Sequence, residues 1–339
     1  MLGELGLRFV ISAIIVVLAG TQLARSGDVI AARTKLGGLW VGSIFLAFAT
    51  SLPEIVTDIS AVRMGAPDLA VGDLFGSSMA NMLILALVSL APSGAELFRR
   101  ATLDHVLYAS LAIMLTAIAT VGLVLRPPVT LLGIGLTSWF LLVVYAIASR
   151  AAFRHSTVAQ SATEVVEMSG STPEAPKAEM SLTRAALVFA GAALVIVLAA
   201  PQFAKAAEGI AIETGLGSTF VGTWLVGLST SLPELVTSFA AVRLRAYDMA
   251  VGNLFGSNAL NMVLFPLLDL FQPGAPLLSI ADPGHAVSAL VAIVLMAIAI
   301  ATLVHRSRHG RVVAEPGSIL IILGYILGIG LVFWSSMKG

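Results

Sequence analysis

The chain has 339 residues, of which 58% are hydrophobic and only 11% are charged. In soluble globular domains roughly a quarter of the residues are charged, so most of this chain is predicted to lie in lipid. Its 19 basic residues balance 19 acidic ones, which gives no electrostatic argument for a nucleic-acid partner. The lack of cysteine excludes disulfides and thiolate metal sites.

Ten segments have about the 20 apolar residues that a helix needs to cross a bilayer. They lie at 6–30, 37–62, 68–91, 103–124, 128–149, 183–206, 218–242, 249–271, 284–304 and 316–336. Glu4 precedes the first segment and further apolar segments follow it, so we interpret it as an uncleaved span. The sequence therefore predicts an all-α integral membrane protein with ten transmembrane helices.

The polar stretch 150–181 divides the chain into halves at 1–149 and 182–339 and is predicted to be a linker. Shifting the chain by 180 residues aligns ATSLPEIVTDISAVRMGAPDLAVGDLFGSSMANMLI, from Ala49, with STSLPELVTSFAAVRLRAYDMAVGNLFGSNALNMVL, from Ser229. The two segments are identical at 21 of 36 positions without a gap. The chain thus contains an internal repeat, at about 37–91 and 217–271.

The distribution of basic residues predicts the orientation of the ten spans. Fourteen lysines and arginines lie on the side of the loops that follow odd-numbered spans, and five lie on the other side. The protein is therefore predicted to lie in the cell (inner) membrane, with both termini on the outer side and the 150–181 linker in the cytoplasm. Because five spans separate corresponding helices, the halves must be inverted repeats, as in many secondary transporters.

Each repeat places a glutamate within a predicted span, Glu54 in the first and Glu234 in the second. An ionised side chain in a membrane is unfavourable unless it meets water, an ion or a partner. Pro53 and Pro233 precede these glutamates and are predicted to free backbone carbonyls one turn earlier. Hydroxyl groups lie beside them on Thr50, Ser51, Thr230 and Ser231. A site with only oxygen ligands favours hard cations such as Ca²⁺ and Na⁺.

The next span of each repeat carries polar residues four positions apart, which places them on one helical face. They are Asp73, Ser77 and Asn81 in the first repeat and Asn253, Ser257 and Asn261 in the second. Gly72, Gly76, Gly252 and Gly256 lie between them and are predicted to allow close helix packing. We expect four helices to assemble one site, with the two glutamates opposed across a pseudo-twofold axis.

At these residues the sequence resembles the calcium/cation antiporter superfamily, and in particular its prokaryotic Na⁺/Ca²⁺ exchangers, over nearly the whole chain. The resemblance implies ten helices in two inverted halves, and exchange of inward Na⁺ for outward Ca²⁺ by alternating access. It also implies that helices 6–30 and 183–206 slide across the other eight. The implied ligands are the backbone carbonyls of Ala47 and Gly227 and the side chains of Thr50, Ser51, Glu54, Ser77, Asn81, Thr230, Ser231, Glu234, Ser257 and Asn261. No cofactor and no obligate protein partner is expected.

Three residues depart from the family pattern. Asn261 stands where some relatives have aspartate. In the family, asparagine at this position accompanies potassium-independent exchange. Asp73 replaces the usual amide, and Asp58 stands where the second repeat has Ser238. Three roles are open for these two acids: they enlarge the site, relay protons or pair structurally. We include Asp73 among the candidate ligands.

Other functions stay open at this stage. Asp58 and Asp73 favour a Ca²⁺/H⁺ or other cation/H⁺ antiporter as the first alternative, although the repeat signature typical of proton-coupled relatives is absent. A cation channel or a non-transporting sensor is a further alternative. No nucleophile and base pair occurs in the repeats, so an enzyme is not predicted. Asp68 and Asp248 are predicted to be helix N-caps, and the five histidines lie outside the repeats.

Overall fold

The computed structural model describes residues 2–34, 37–102, 104–150, 180–213, 230–305 and 315–336. Its elements, in chain order, are α1 (Leu2–Thr34), α2 (Gly37–Trp40), a π-helical segment (Val41–Leu46), α3 (Ala47–Thr50), α4 (Leu52–Arg63), α5 (Pro67–Leu90), α6 (Leu97–Arg100), α7 (His105–Leu125), β1 (Thr130–Leu131), β2 (Ile134–Gly135), α8 (Leu136–Arg150), α9 (Leu182–Glu213), α10 (Leu232–Arg243), α11 (Tyr247–Asp269), α12 (Leu277–Ile280), α13 (His285–His305) and α14 (Pro316–Ser336).

Within these residues, seven helices are long and apolar enough to cross a membrane: α1, α5, α7, α9, α11, α13 and α14. The segment that ends in α3 forms an eighth span together with α4, with a bend of 42° at the break. α8 is shorter, and α10 is the described part of the predicted span 218–242. Each of the ten predicted spans therefore corresponds to a helix or part of one, and the predicted all-α membrane fold is confirmed.

The fifth predicted span, 128–149, begins later than expected. Arg126 ends α7 in a left-handed conformation with φ 51°, and two prolines follow it. A small antiparallel hairpin then pairs Thr130 with Gly135, turning at Gly133 with φ 80°. Because proline and the left-handed turn both interrupt helical hydrogen bonding, the helix starts only at Leu136.

The first helices of the two halves, α1 and α9, pack against each other along their length. Phe9 contacts Phe203 with ring centroids 4.5 Å apart. Gly209 lies beside Leu5 near one end of the pair, and Gly27 lies beside Phe189 near the other. Because residue numbers rise along α1 as they fall along α9, the two helices are antiparallel, as inverted repeats require.

α5 and α11 are the most buried long helices and form the centre of the molecule. α11 packs closely against the π-helical segment because two of its glycines have no side chain there. A Cβ on Gly256 would lie 2.3 Å from the Ser43 carbonyl oxygen, and one on Gly252 would lie 2.9 Å from that of Leu39. The predicted role of Gly252 and Gly256 in close packing is confirmed. Apart from the adjacent backbone of its own helix, no described atom lies within 4 Å of a Cβ built on Gly76.

Asp68 and Asp248 are not N-caps, since the N-cap residues of α5 and α11 are Ala66 and Ala246. Asp248 Oδ1 instead lies 2.9 Å from Nε2 of buried His105 and accepts the backbone N–H of Thr102. Asp68 Oδ1 lies 3.3 Å from His285 Nε2 and accepts the N–H of Asp282. The two contacts are related by the 180-residue shift, and each joins a helix of one half to a helix of the other, α11 to α7 and α5 to α13.

Two predicted features fall largely on residues that the structure does not describe. Of the linker 150–181, only Arg150 and the last two residues are described, and the beginning of the span 218–242 lies outside the described residues as well. The domain boundaries and the cytoplasmic placement of the linker therefore stay predictions.

The antiparallel packing of α1 and α9 can be tested by cross-linking, because the native chain contains no cysteine. Leu5→Cys combined with Gly209→Cys should form a disulfide under mild oxidation, since a Cβ on Gly209 would lie 2.9 Å from the Leu5 side chain. The control is Leu5→Cys with Ala185→Cys, the pair that parallel helices would bring together. Gel mobility measures the bond, and cross-linking of the control pair instead would contradict the inverted arrangement.

Candidate ion-binding site

Each glutamate of the repeats lies just after a helix start inside the membrane fold. α3 ends at Thr50 and α4 begins at Leu52, with Glu54 in the first turn. α10 begins at Leu232 in the same way and has Glu234 in its first turn. The N-terminus of a helix carries a partial positive charge that favours a carboxylate. Because proline has no N–H, Pro53 leaves the carbonyl of Ala49 without its usual donor, so the break is encoded by the motif itself.

All described candidate side chains are buried, each at 3% exposure or less. They are Thr50, Ser51, Glu54, Asp73, Ser77, Asn81, Thr230, Ser231, Glu234, Ser257 and Asn261. They come from both repeats and line the region where α3, α4 and α10 meet α5 and α11. The structure therefore brings the predicted residues into one polar centre within an apolar protein.

Glu234 is contacted by hydroxyl groups from both halves. Ser51 Oγ lies 3.3 Å from Glu234 Oε1, and Ser257 Oγ lies 3.4 Å from the same oxygen. Ser51 and Ser257 are themselves 3.4 Å apart. One carboxylate oxygen of Glu234 is thus held by two neutral donors, while Oε2 is buried without a hydrogen-bond partner.

Glu54 is close enough to Glu234 for the two charges to repel each other. Its Oε2 is also buried and has no hydrogen-bond partner. Across the described ranges, the ion pairs of the protein involve other acids, and no lysine, arginine or histidine pairs with either glutamate. A pair of buried carboxylates without a basic partner needs another source of positive charge.

Asn81 and Asn261 face the opposite repeat. Asn81 Nδ2 donates to Asn258 Oδ1 at 2.9 Å, and Asn261 Nδ2 donates to the Leu74 carbonyl at 3.4 Å. The Oδ1 atoms of Asn81 and Asn261 are buried and have no hydrogen-bond partner. In both residues the amide nitrogen joins α5 to α11, and the amide oxygen is available to a cation.

The sequence analysis missed the role of Asn258. Besides accepting from Asn81, it donates to the Ser78 carbonyl at 3.2 Å and so connects α11 to α5 twice. Its repeat twin, the residue 180 positions away, is Ser78, whose hydroxyl bonds back to Leu74 in its own helix at 2.9 Å. The difference between the repeats at this position was the available signal.

Thr50 and Thr230 are in equivalent positions and reach across the pseudo-twofold axis. Thr50 Oγ1 lies 3.3 Å from Asn253 Oδ1, and Thr230 Oγ1 lies 3.1 Å from Asp73 Oδ1. Thr50 Oγ1 is also 2.9 Å from the Leu46 carbonyl and 3.2 Å from that of Ala47. Thr50 therefore bonds to its own helix just before the break, and both threonines face the polar centre.

Two backbone ligands were predicted from the resemblance. The carbonyl of Ala47 accepts the Ser51 N–H at 3.0 Å and lies near the Thr50 hydroxyl. Gly227 lies outside the described residues. The role of both carbonyls as ligands stays a prediction.

Asp73 and Asp58 form a second acidic group beside the glutamates. Asp73 Oδ1 accepts from Thr230 at 3.1 Å, and Ser77 Oγ lies 3.5 Å away from it. The carboxyl groups of Asp58 and Asp73 lie within hydrogen-bonding distance of each other. Both residues are buried, and the Oδ2 atom of each has no hydrogen-bond partner.

The chemistry of this centre suits a hard cation. Its buried oxygens without a hydrogen-bond partner are Glu54 Oε2, Asp58 Oδ2, Asp73 Oδ2, Asn81 Oδ1, Ser231 Oγ, Glu234 Oε2 and Asn261 Oδ1. Carboxylate, amide and hydroxyl oxygens are ligands that Ca²⁺ and Na⁺ prefer. In the described ranges no three acidic, histidine or cysteine side chains converge on one point, so neutral oxygens must complete any coordination shell.

Loss of the Asn258 contacts gives a direct test of the α5–α11 connection. Asn258→Ala should lower the free energy of unfolding by about 1–2 kcal/mol, because it leaves the buried amide of Asn81 without its acceptor. Ser78→Ala is the matched control, since its hydroxyl bonds only within α5. Thermal unfolding in detergent measures both, and equal stability of the two variants would contradict this role of Asn258.

Comparison with known proteins places the chain among membrane exchangers. The sequence model of the family described as sodium/calcium exchanger protein matches residues 5–150 and 184–334. Inner membrane protein YrbG of Escherichia coli is 27% identical over an alignment that covers 96% of each chain. Sodium/calcium exchanger MaX1 of Methanosarcina acetivorans is 40% identical over 88 residues, or 26% of this chain and 24% of MaX1.

A solved structure also resembles the chain over nearly its full length. It is that of the sodium-calcium exchanger NCX_Mj soaked with 100 mM Na⁺ and 10 mM Sr²⁺. The two superimpose with a TM-score of 0.71 at 20% identity, covering 97% of this chain and 99% of the other. This match confirms the predicted fold.

Proposed function

Because the chain belongs to the sodium/calcium exchanger family, we propose that it is a secondary active antiporter that exchanges Na⁺ for Ca²⁺ across the membrane. The observation that carries this proposal is the buried pair Glu54 and Glu234, which come from inverted repeats and have no basic partner in the described ranges. Two carboxylates match the charge of one Ca²⁺. The same oxygens suit Na⁺, so the two ions would compete for one site.

The other ligands follow from the geometry around the glutamates. Asn81 and Asn261 contribute amide oxygens, and Ser231 contributes a hydroxyl oxygen, each buried without a hydrogen-bond partner. Ser51 and Ser257 position Glu234 and supply further oxygens, as do Thr50, Ser77 and Thr230. We also include the carbonyls of Ala47 and Gly227 and the side chain of Asp73 in the proposed ligand set.

Alternating access requires one part of the fold to move relative to the site. Among the described elements, α1 and α9 contact each other most extensively, and α1 also lies against α10. Gly20 of α1 has no side chain at this contact, where a Cβ would lie 2.9 Å from Val236. We propose that α1 and α9 move as a unit over the site, with both chain termini outside and the 150–181 linker in the cytoplasm.

Transport in reconstituted vesicles tests the exchange function. Na⁺-loaded vesicles should take up Ca²⁺ when diluted into Na⁺-free medium. Glu54→Gln and Glu234→Gln should each slow this uptake by roughly 100-fold or more, because removing one partner of a buried ionic contact costs about 3–5 kcal/mol.

Glu96→Gln provides the matched control, since Glu96 is a half-exposed residue paired with Arg100 outside the site. It should transport Ca²⁺ like the native protein. Uptake that does not depend on internal Na⁺ would contradict Na⁺/Ca²⁺ exchange, and uptake without a counter-ion requirement would indicate a channel.

A Ca²⁺/H⁺ antiporter is the second candidate, and the contact between Asp58 and Asp73 favours it. A hydrogen bond between two carboxyl groups requires a proton on one of them. A pH gradient that drives Ca²⁺ uptake into Na⁺-free vesicles would support proton coupling. If a Na⁺ gradient alone drives uptake at equal pH on both sides, sodium is the coupling ion.

A further inference from the structure

The two repeats build the same polar contacts with different chemistry. Thr230 reaches Asp73 Oδ1 at 3.1 Å, and its repeat twin Thr50 reaches Asn253 Oδ1 at 3.3 Å. Asp73 and Asn253 are repeat twins themselves. The position is therefore symmetric in geometry but carries an acid in the first repeat and an amide in the second.

The next contact of Asp73 and of Asn253 shows the same difference between the repeats. Asn253 Nδ2 lies 3.3 Å from Ser238 Oγ, so this pair is joined by an ordinary neutral hydrogen bond. In the first repeat the corresponding pair is Asp73 and Asp58, whose carboxyl groups are hydrogen-bond neighbours. A contact that is neutral in the second repeat thus has two acids in the first.

Nothing in the described protein neutralises this acidic pair. Asp58 is 1% exposed and Asp73 is 3% exposed. Neither belongs to an ion pair with a basic side chain in the part of the chain that the structure describes. The Oδ2 atom of each is buried and has no hydrogen-bond partner. Two adjacent carboxyl groups in an apolar interior require a positive charge, either a proton shared between them or a cation bound beside them.

A third buried oxygen points to the same conclusion independently. Glu54 belongs to the main site, but it is near enough for its charge to interact with both Asp73 and Asp58. Its Oε2 has no hydrogen-bond partner. The hydroxyls of Thr230 and Ser77, at 3.1 and 3.5 Å from Asp73 Oδ1, add neutral oxygens. The region between Glu54 and the acidic pair thus offers oxygen ligands without a donor.

We infer that Asp58 and Asp73 bind a second cation, a monovalent ion of the Na⁺ type, beside the Glu54–Glu234 site. The inference rests on the proposed function. One Ca²⁺ neutralises two of the four buried carboxylates and leaves two, which favours further positive charge near the aspartates. Glu54 is shared with the main site, and the described ranges contain no group of three acidic, histidine or cysteine side chains arranged to hold one metal ion. The ligands therefore suit a monovalent ion better than a second divalent one.

Counting bound Na⁺ tests the second site. The purified full-length protein in detergent is saturated with radioactive Na⁺, and the ions bound per chain are compared with those of Asp58→Ser combined with Asp73→Asn. This variant gives the first repeat the residues of the second, whose neutral contact shows that the geometry accepts them. We expect one Na⁺ fewer per chain and a Hill coefficient for Na⁺ displacement of Ca²⁺ that is lower by about one.

Two further variants complete the test. Asp58→Asn alone removes one charge with little change in shape, and it replaces the double variant if that variant does not fold. It should weaken Na⁺ binding about tenfold. Ser238→Ala is the matched control in the second repeat and should bind as many Na⁺ as the native chain. An unchanged Na⁺ count in Asp58→Asn and in the folded double variant would overturn the second site, as would a count that changes only with pH. If the native chain binds neither Na⁺ nor Ca²⁺, the exchange function itself fails.

Discussion

The structure depends on one constraint, that a carboxylate buried in a membrane protein must have positive charge near it. Glu54 and Glu234 meet this constraint only in part through the protein. Helix starts stabilise both glutamates, and serine hydroxyls stabilise Glu234. No basic side chain in the described ranges pairs with either. In the proposed exchanger, a transported ion supplies the remaining positive charge, so that ion binding also stabilises the fold.

The inverted repeat explains how so short a motif can form a complete site. A single Thr-Ser-Leu-Pro-Glu segment supplies one carboxylate and a few hydroxyls from one side. The second copy arrives from the opposite direction, so hydroxyls of one half contact acids of the other, as with Ser51 and Glu234 or Thr230 and Asp73. Contacts across the axis also mean that a movement of either half alters the surroundings of both acids.

Much of this arrangement could be predicted from the sequence because it depends on composition and repetition. The apolar segments indicated the spans, Pro53 indicated the break before α4, and Pro233 indicated the start of α10. Three features depended on tertiary contacts and could not be predicted in this way. The bonds of Asn258 to α5, the pairing of Asp68 and Asp248 with histidines and the late start of α8 all involve residues distant in sequence or a local turn that competes with the helix.

The late start of α8 affects the surrounding lipid. Leu136–Arg150 spans about 22 Å at the usual helical rise, whereas α1 with its 33 residues spans about 50 Å. A bilayer core is about 30 Å thick, and the hairpin before α8 exposes Leu131 and Leu132. The protein therefore has a hydrophobic perimeter of uneven height. Thinning of the bilayer beside α8 and tilting of α1 would accommodate this difference, at a cost of a fraction of a kcal/mol per Å of mismatch. Membrane thickness would then contribute to the energy of any state that changes the tilt of α1.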